Sequence, residues 1–214
     1  MKSIDDSKGL GQEPVAVVLI GDGKTEKVIL EPLAERHNGA QKILLVPSSP
    51  LHWKKENAAR DCGLSALQAM KIYLDKYRLS RSLFLVDKEH FEDPDDIRSS
   101  LGNALRLFGI TVTDADVEDL GEQAYQIRGS VGGREVTVGA VVFGERKCIE
   151  ENIALLIKLE WGIEVEPDKA AIHNVMCERE CSLRDLVRKA HERNLVQAFP
   201  GLINALKKIE ENQT

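Results

Sequence analysis

The sequence is poor in cysteine, aromatic residues and uninterrupted apolar segments. Its 214 residues include 4 cysteines, and 5% of them are aromatic. Four cysteines in a chain of this length, with no export signal, indicate reduced thiols and a cytoplasmic protein. No apolar run approaches the roughly 18–20 residues of a membrane span, so a membrane protein is not expected. Residues 1–13 are polar, and we interpret them as a flexible leader rather than a signal peptide.

The sequence also lacks an excess of positive charge. The formal net charge is −6, with 29 Lys and Arg against 35 Asp and Glu. Proteins that coat nucleic acid non-specifically need many basic contacts to phosphate, so this charge argues against that class. A nuclease is still compatible with it, because its metal site is itself acidic. The segment 53–81 is basic and 87–122 is acidic, which fits either a metal site beside a phosphate track or two solvated helix faces.

Apolar runs typical of buried parallel strands alternate with helical patterns in the first half of the chain. This alternation predicts βαβ units and a parallel sheet. Strands are predicted at 15–20, 41–46 and 82–86, and helices at 25–36, 55–77 and 94–107. The pattern then changes to a predicted β-hairpin formed by 124–128 and 135–142, followed by a helix over 147–161.

The predicted fold is therefore α/β, a mainly parallel sheet flanked by helices with a β-hairpin insertion, over residues 14–165. Residues 166–214 are predicted to form a C-terminal helical extension with helices at 168–177, 183–194 and 202–209, and Ser182 is predicted to cap the second of them. Apolar stripes on these helices predict docking on the α/β domain. A homodimer contact is the alternative.

Acidic residues follow the first and third predicted strands. Strand 15–20 leads into Gly21-Asp22-Gly23-Lys24-Thr25-Glu26, and strand 82–86 leads into Asp87-Lys88-Glu89. The carboxyl ends of parallel strands are where α/β sheets bind ligands, so these acids predict a metal or phosphate site. A P-loop is excluded, because its first glycine would have to fall at Val18, inside the strand.

The order of these features resembles the TOPRIM domain of topoisomerases, primases and OLD-family nucleases. The shared pattern is a strand, an acid-Gly-x-Thr-Glu loop, a helix, and a later strand that ends in two acids one residue apart. It covers roughly residues 14–145. In that family the loop acid and the acid pair bind Mg²⁺, so the resemblance implies Asp22, Asp87 and Glu89 as metal ligands. This chain has Asp22 where the family has Glu, and Glu89 where the family has Asp.

The resemblance implies Mg²⁺-dependent phosphoryl transfer or phosphodiester hydrolysis on nucleic acid, with Mn²⁺ as an alternative ion. Any ATPase or helicase would be a separate partner. A cation held by Asp22 and the acid pair would polarise a phosphodiester and lower the pKa of an attacking water. Lys24 would stabilise charge on a phosphate oxygen, and Glu26 would act as a base or bind a second ion.

Several alternatives stay open at this point. Asp22 has a second interpretation as a helix N-cap, and Glu26 as a favourable acid in the first helical turn. Asp87 and Glu89 would then lie in a solvated loop. The corresponding functional alternatives are a non-catalytic nucleic-acid or nucleotide-binding module, and an assembly subunit that works through its helical extension.

Two further groups of residues have weaker patterns. His173, Cys177 and Cys181 recur every four residues, but zinc needs four ligands and no fourth is evident, so a packed thiol face is favoured over Zn²⁺. Glu145, Glu150 and Glu151 follow the last strand, and helix-opening acids are favoured over metal ligands. His90 is interpreted as a loop residue.

Overall fold

The computed structural model describes residues 1–4, 13–21, 23–37, 42–47, 63–113 and 116–211. Strands in these residues form one mixed sheet, and their bounds are β1 Lys2–Ile4, β2 Pro14–Ile20, β3 Ile43–Leu45, β4 Arg81–Asp87, β5 Val117–Gly121, β6 Ala124–Val131 and β7 Arg134–Phe143. Their spatial order is β1-β3-β2-β4-β7-β6-β5. The neighbouring strands β1, β3, β2, β4 and β7 all pair in parallel. β6 pairs antiparallel with both β7 and β5. The predicted α/β class with a mainly parallel sheet is confirmed.

The helices cover both faces of this sheet. Their bounds are α1 Lys24–Arg36, α2 Gln68–Lys76, α3 Ile97–Leu107, α4 Ile149–Trp161, α5 Lys169–Glu178, α6 Leu183–Lys189, α7 Glu192–Ala198 and α8 Pro200–Glu211. One apolar core joins the sheet to α1, α4 and the helices that follow α4. A second core joins the opposite face to α2 and α3. None of the helices in the described part of the chain is long and apolar enough to cross a bilayer.

The continuous apolar sequence of β2 is explained by its place between these two cores. Ala16 and Val18 lie in the core that contains α1 and α4, whereas Val17 and Leu19 lie in the core that contains α2 and α3. Successive side chains of a strand point to opposite faces, so a strand covered on both faces needs apolar residues at every position.

The hairpin is longer than predicted. β6 and β7 pair as far as Val131 and Arg134, and the turn between them is Gly132-Gly133. Both turn residues have positive φ, +57° and +80°, which glycine adopts at little cost in a two-residue hairpin turn. The edge strand β5 was not predicted, because its sequence Val-Glu-Asp-Leu-Gly lacks an apolar pattern.

Three other segments differ from the prediction. Lys2–Ile4 pairs with β3 as an edge strand, although residues 1–13 were predicted to be a flexible leader. The predicted helix 55–77 is a 3₁₀ helix at Gly63–Leu67 followed by α2, and residues 55–62 lie outside the described residues. The helix predicted at 94–107 begins at Ile97, the first residue of α3. The side chain of Asp96 accepts the N–H of Ser99 and caps the start of this helix.

The helical extension docks on the α/β domain, as predicted. Apolar side chains of α6, α7 and α8 are buried in the core that contains α1 and α4. Ser182 caps α6 as expected, since its Oγ accepts the N–H of Asp185. The predicted helix 183–194 is two helices, because Ala190 and His191 are extended and the N–H of His191 donates to Glu160 at 2.7 Å.

Candidate functional site

The carboxyl ends of β2, β4 and β7 lie side by side. The three strands are sheet neighbours and run parallel. β2 leads to α1, β4 leads to a 3₁₀ turn at Lys88–His90, and β7 leads to α4. Asp87 is the last residue of β4, and Glu26 and Glu150 lie in the first turns of α1 and α4. We call this end of the sheet the acidic edge, and it is the position at which open α/β sheets usually bind ligands.

The three carboxylates of the acidic edge are almost fully buried. Glu26 is 2% exposed, Asp87 3% and Glu150 5%. The other buried polar residues in the described ranges are Ser82 and Asn194, so every buried acid lies at this edge. Burial of a carboxylate is costly unless hydrogen bonds or positive charges compensate it. The acidic edge is therefore a place where compensating groups are required.

Asp87 connects the end of β4 to the start of α4. Its Oδ1 accepts a 2.9 Å hydrogen bond from the N–H of Ile149, the first residue of that helix. The first N–H groups of a helix lack partners within the helix and carry partial positive charge, so they stabilise a carboxylate. Asp87 is thus held in a fixed, buried position and does not lie in a solvated loop.

Glu26 lies in the first turn of α1 and turns back toward the loop after β2. Its Oε2 is 3.9 Å from the position that a Cβ would take at Gly23, the residue before the helix. Lys24 is the first residue of α1 and is exposed. Asp22, predicted to bind metal, lies outside the described residues. The first turn of α1 therefore carries both a buried acid, Glu26, and an exposed lysine, Lys24.

Glu150 and Cys148 lie next to each other at the start of α4. Glu150 Oε1 lies 3.7 Å from Nζ of Lys169, which is itself largely exposed. Burial raises the pKa of the Cys148 thiol to about 12, and the hydrogen bond to Glu150 and the charges of Glu150 and Asp87 add to this effect. Because the thiolate is the nucleophilic form, this shift lowers the reactivity of Cys148. The sequence favoured a helix-opening acid over a metal ligand at Glu150 and did not predict its burial.

Glu89 lies in a different environment from Asp87. Its carboxylate is 3.4 Å from Nζ of Lys147, and its N–H donates to the Lys147 carbonyl at 2.9 Å. Lys88 Nζ donates to the carbonyl of Glu145 at 3.0 Å. The turn after β4 is thus attached to the loop before α4. A cation held by both Asp87 and Glu89 would compete with Lys147 for the Glu89 carboxylate.

Gly21 and Gly63 allow the neighbouring loops to meet at this edge. The N–H of Gly21 donates to the carbonyl of Leu85 at 2.7 Å, and the N–H of Gly63 donates to the carbonyl of Gly21 at 2.6 Å. Gly63 has a φ of +62°, and a Cβ there would lie 2.6 Å from the ring of His90. His90 therefore packs against the first residue of the 3₁₀ helix Gly63–Leu67. Gly63 was missed because it lay inside the predicted helix 55–77.

The other acids after β7 do not share the burial of Glu150. Glu151 Oε2 accepts the N–H of Arg146 at 2.9 Å, which is the role of a helix-opening acid. Glu145 is exposed. The turn between β7 and α4 is made by Gly144, whose φ is +82°.

A cavity of about 500 Å³ opens beside Glu150. It lies between the start of α1, where Thr25 lines it, and α4, α5 and α6. Lys169 and His173 form part of its polar lining, and its apolar wall consists of Ile153, Ile172, Met176 and Leu183. Ligand pockets have volumes of about 300–1,000 Å³. A ligand group larger than a phosphate therefore fits next to the acidic edge.

His173 and Cys177 line this cavity and are not part of the core. Their Nε2 and Sγ atoms are 3.5 Å apart, and both residues are exposed. The buried positions of α5 are taken by Ile172 and Met176, so the predicted packed thiol face is wrong for Cys177. α5 ends at Glu178, and Cys181 lies beyond its last turn.

No three His, Cys, Asp or Glu side chains among the described residues are grouped so that they could hold a metal ion. Asp22 is not among these residues. Mg²⁺ is commonly held by only one or two carboxylates, with water and phosphate as its other ligands. A site of that kind does not need three grouped protein ligands, and the acidic edge contains carboxylates that could serve. Comparison of the chain with protein-family models, with curated proteins and with solved structures found no match.

Proposed function

We propose that the protein is a Mg²⁺-dependent enzyme that hydrolyses phosphodiester bonds in nucleic acid at its acidic edge. The observation that carries the proposal is the burial of Asp87 at the end of β4 and of Glu26 in the first turn of α1, the helix that follows the adjacent parallel strand β2. Carboxylates supply the oxygen ligands that Mg²⁺ prefers, and a helix N-terminus attracts phosphate. Both kinds of group are needed to hold a metal-bound phosphodiester.

Asp22, Asp87 and Glu89 are the proposed Mg²⁺ ligands, and Mn²⁺ is expected to substitute. Asp87 is already oriented by the N–H of Ile149. Glu89 would exchange its contact with Lys147 for the ion. A cation bound here would polarise the phosphodiester and lower the pKa of an attacking water.

Glu26 and Lys24 have separate proposed roles. Glu26 is a buried carboxylate in the first turn of α1, which suits it to accept a proton from water or to bind a second ion. Lys24 is exposed at the same helix start and would stabilise the charge that develops on a phosphate oxygen. The cavity beside Glu150 would receive the nucleoside next to the scissile bond.

The test is a cleavage assay with end-labelled single- and double-stranded DNA and RNA, in Mg²⁺, Mn²⁺ or EDTA. We expect cleavage that requires the divalent ion and falls at least about 100-fold in Asp87→Asn, the size of effect expected for an electrostatic group at a reacting phosphate. This variant keeps an oxygen that accepts the N–H of Ile149 but loses the charge. Glu26→Gln should show a similar loss.

Glu145→Gln is the matched control, because it removes one negative charge from an exposed acid near the same edge. It should cleave at the wild-type rate. Cleavage that survives in both Asp87→Asn and Glu26→Gln, or that does not depend on the divalent ion, would overturn the proposal.

A second candidate function is a non-catalytic nucleic-acid or nucleotide-binding module. It is favoured by the contacts that the acids already make, between Asp87 and Ile149 and between Glu89 and Lys147. This function predicts binding in a gel-shift assay without cleavage at any metal concentration, and binding that Asp87→Asn leaves unchanged.

A further inference from the structure

A second cavity lies on the sheet toward the end opposite the acidic edge. Its volume is about 310 Å³, and it lies between the face formed by β4, β7 and β6 and the last turns of α8. Arg81, the first residue of β4, lines it, whereas Asp87 at the acidic edge is the last residue of that strand. The two residues are six positions apart along the strand, which is roughly 20 Å.

The strand register places two arginines on either side of a threonine on the floor of this cavity. Arg81 of β4 pairs with Thr137 of β7, and Thr137 pairs with Arg128 of β6. Residues directly opposite one another in a sheet point to the same face. Neighbouring strands are about 4.8 Å apart, so the two arginines start about 10 Å apart. Side chains of this length can close on one phosphate placed above Thr137.

Two positions further along β7, a glycine takes the place of a larger side chain on the floor of the cavity. Leu83 pairs with Gly139, and Gly139 pairs with Gln126. Gly139 is only half-buried, although β7 is an interior strand, and a Cβ there would lie 3.3 Å from Cδ1 of Leu83. A side chain at this position would press against Leu83, so glycine keeps the cavity floor open between Leu83 and the Gln126 amide.

The charge around the cavity is mainly positive. Lys208 of α8 lines it together with Arg81 and Arg128. Glu118 lies 3.6 Å from Arg128 in an ion pair whose two side chains are more than half exposed. Arg81 and Lys208 also take part in interactions of their own, which a ligand would join or replace. Three cations around one cavity, in a protein with a net charge of −6, favour an anionic ligand.

We infer that this cavity binds a nucleoside monophosphate, with its phosphate between Arg81, Arg128 and Lys208 and its base over Gly139. The guanidinium group binds phosphate through two parallel hydrogen bonds, which makes the arginine pair the natural phosphate site. The base would pack against Leu83 and Ala205, with the Gln126 amide at its edge. The volume is at the lower limit for ligand pockets, so it suits a ligand of this size. The site goes beyond the proposed function and shares no residue with the acidic edge.

Isothermal titration of the full chain with AMP, GMP, CMP and UMP tests this inference. At least one of the four should bind with a stoichiometry of one. Lys208→Gln and Arg128→Gln should each weaken its binding about tenfold, the loss expected for one charge-assisted hydrogen bond. Lys207→Gln is the matched control, because Lys207 is the preceding exposed residue of α8 and does not line the cavity. Glu118→Gln should tighten binding, since it removes the competing carboxylate.

Several outcomes would overturn the inference. The first is the absence of saturable binding of all four nucleotides at millimolar concentration. The second is equal weakening in Lys207→Gln and Lys208→Gln. The third is binding of inorganic phosphate or ribose 5-phosphate as tight as that of the nucleotide, which would remove the role of the base. Loss of binding in Asp87→Asn would place the nucleotide at the acidic edge instead.

Discussion

The carboxylate of Asp87 accepts the backbone N–H of Ile149 at 2.9 Å, which ties the end of β4 to the start of α4. The two residues are 62 positions apart in the sequence. The same side chain is thus the cap of a buried helix start and a candidate metal ligand. The two roles respond differently to substitution, because capping needs only an oxygen acceptor whereas metal binding needs the negative charge.

Asp87→Ala is expected to lower the free energy of unfolding by about 1–3 kcal/mol, because it leaves the buried N–H of Ile149 without an acceptor. Asp87→Asn keeps an oxygen at that position and should cost less. Urea denaturation followed by circular dichroism measures both values. Equal destabilisation by the two variants would mean that the hydrogen bond is not the main contribution of Asp87 to stability.

Gly144, in the turn before α4, and Gly162, which directly follows α4, can be compared as two glycines of similar backbone conformation. Both have positive φ, +82° and +70°, so alanine at either position costs about 1–2 kcal/mol of backbone strain. At Gly144 the added Cβ would also lie 2.3 Å from the N of Cys148, whereas nothing lies within 4 Å at Gly162. Overpacking adds about 1–3 kcal/mol. Thermal denaturation should therefore show a clearly larger loss for Gly144→Ala, and equal losses would contradict the close contact.

The sequence predicted the central sheet well because its strands are buried on both faces. The buried stretches of these strands are then apolar on both faces, as in β2 and at Leu83–Val86 of β4, and such a run needs no tertiary information to be recognised. The edge strands β1 and β5 were not predicted, because their sequences contain no run of buried apolar residues. An edge strand such as Val117–Gly121 has exposed acidic positions, and only its pairing with β6 shows that it is a strand.

The acidic edge was predictable only in part. The position of Asp87 after a buried strand identified it, because strand ends carry the polar residues of a parallel sheet. The burial of Glu150 and the contact of Glu89 with Lys147 depend on how the loop before α4 packs against the turn after β4. Those contacts join residues about 60 positions apart, and the local pattern of the chain does not contain them.

The reactivity of Cys148 tests its burial and its interaction with Glu150. With its pKa raised to about 12, the thiol should react with iodoacetamide far more slowly at pH 8.5 than the exposed Cys177 does. Glu150→Gln removes a charge and an ionic hydrogen-bond acceptor, so it should lower the pKa of Cys148 and speed its alkylation. Peptide mass spectrometry of a time course measures both rates. An unchanged Cys148 rate in Glu150→Gln would contradict the proposed interaction.

Glu160 provides a pH-dependent contribution to the docking of the helical extension on α4. Its side chain is 8% exposed, and it accepts the N–H of His191 at 2.7 Å and the amide of Asn194 at 2.8 Å. Burial alone would raise its pKa, but these hydrogen bonds and the imidazole of His191 outweigh burial and lower the pKa below its ordinary value of 4.5.

A carboxyl whose pKa is lower in the folded state stabilises the fold above its unfolded pKa and loses that contribution as the pH falls through the folded value. The melting temperature of the wild-type protein should therefore fall as the pH drops below about 4.5. Glu160→Gln should melt lower at neutral pH and lose less stability on acidification, whereas Glu166→Gln, a change at an exposed acid, should follow the wild type. Calorimetry between about pH 3 and pH 7 measures these curves across the titration of Glu160. An acid-induced loss as large in Glu160→Gln as in the wild type would assign the pH dependence to other carboxylates.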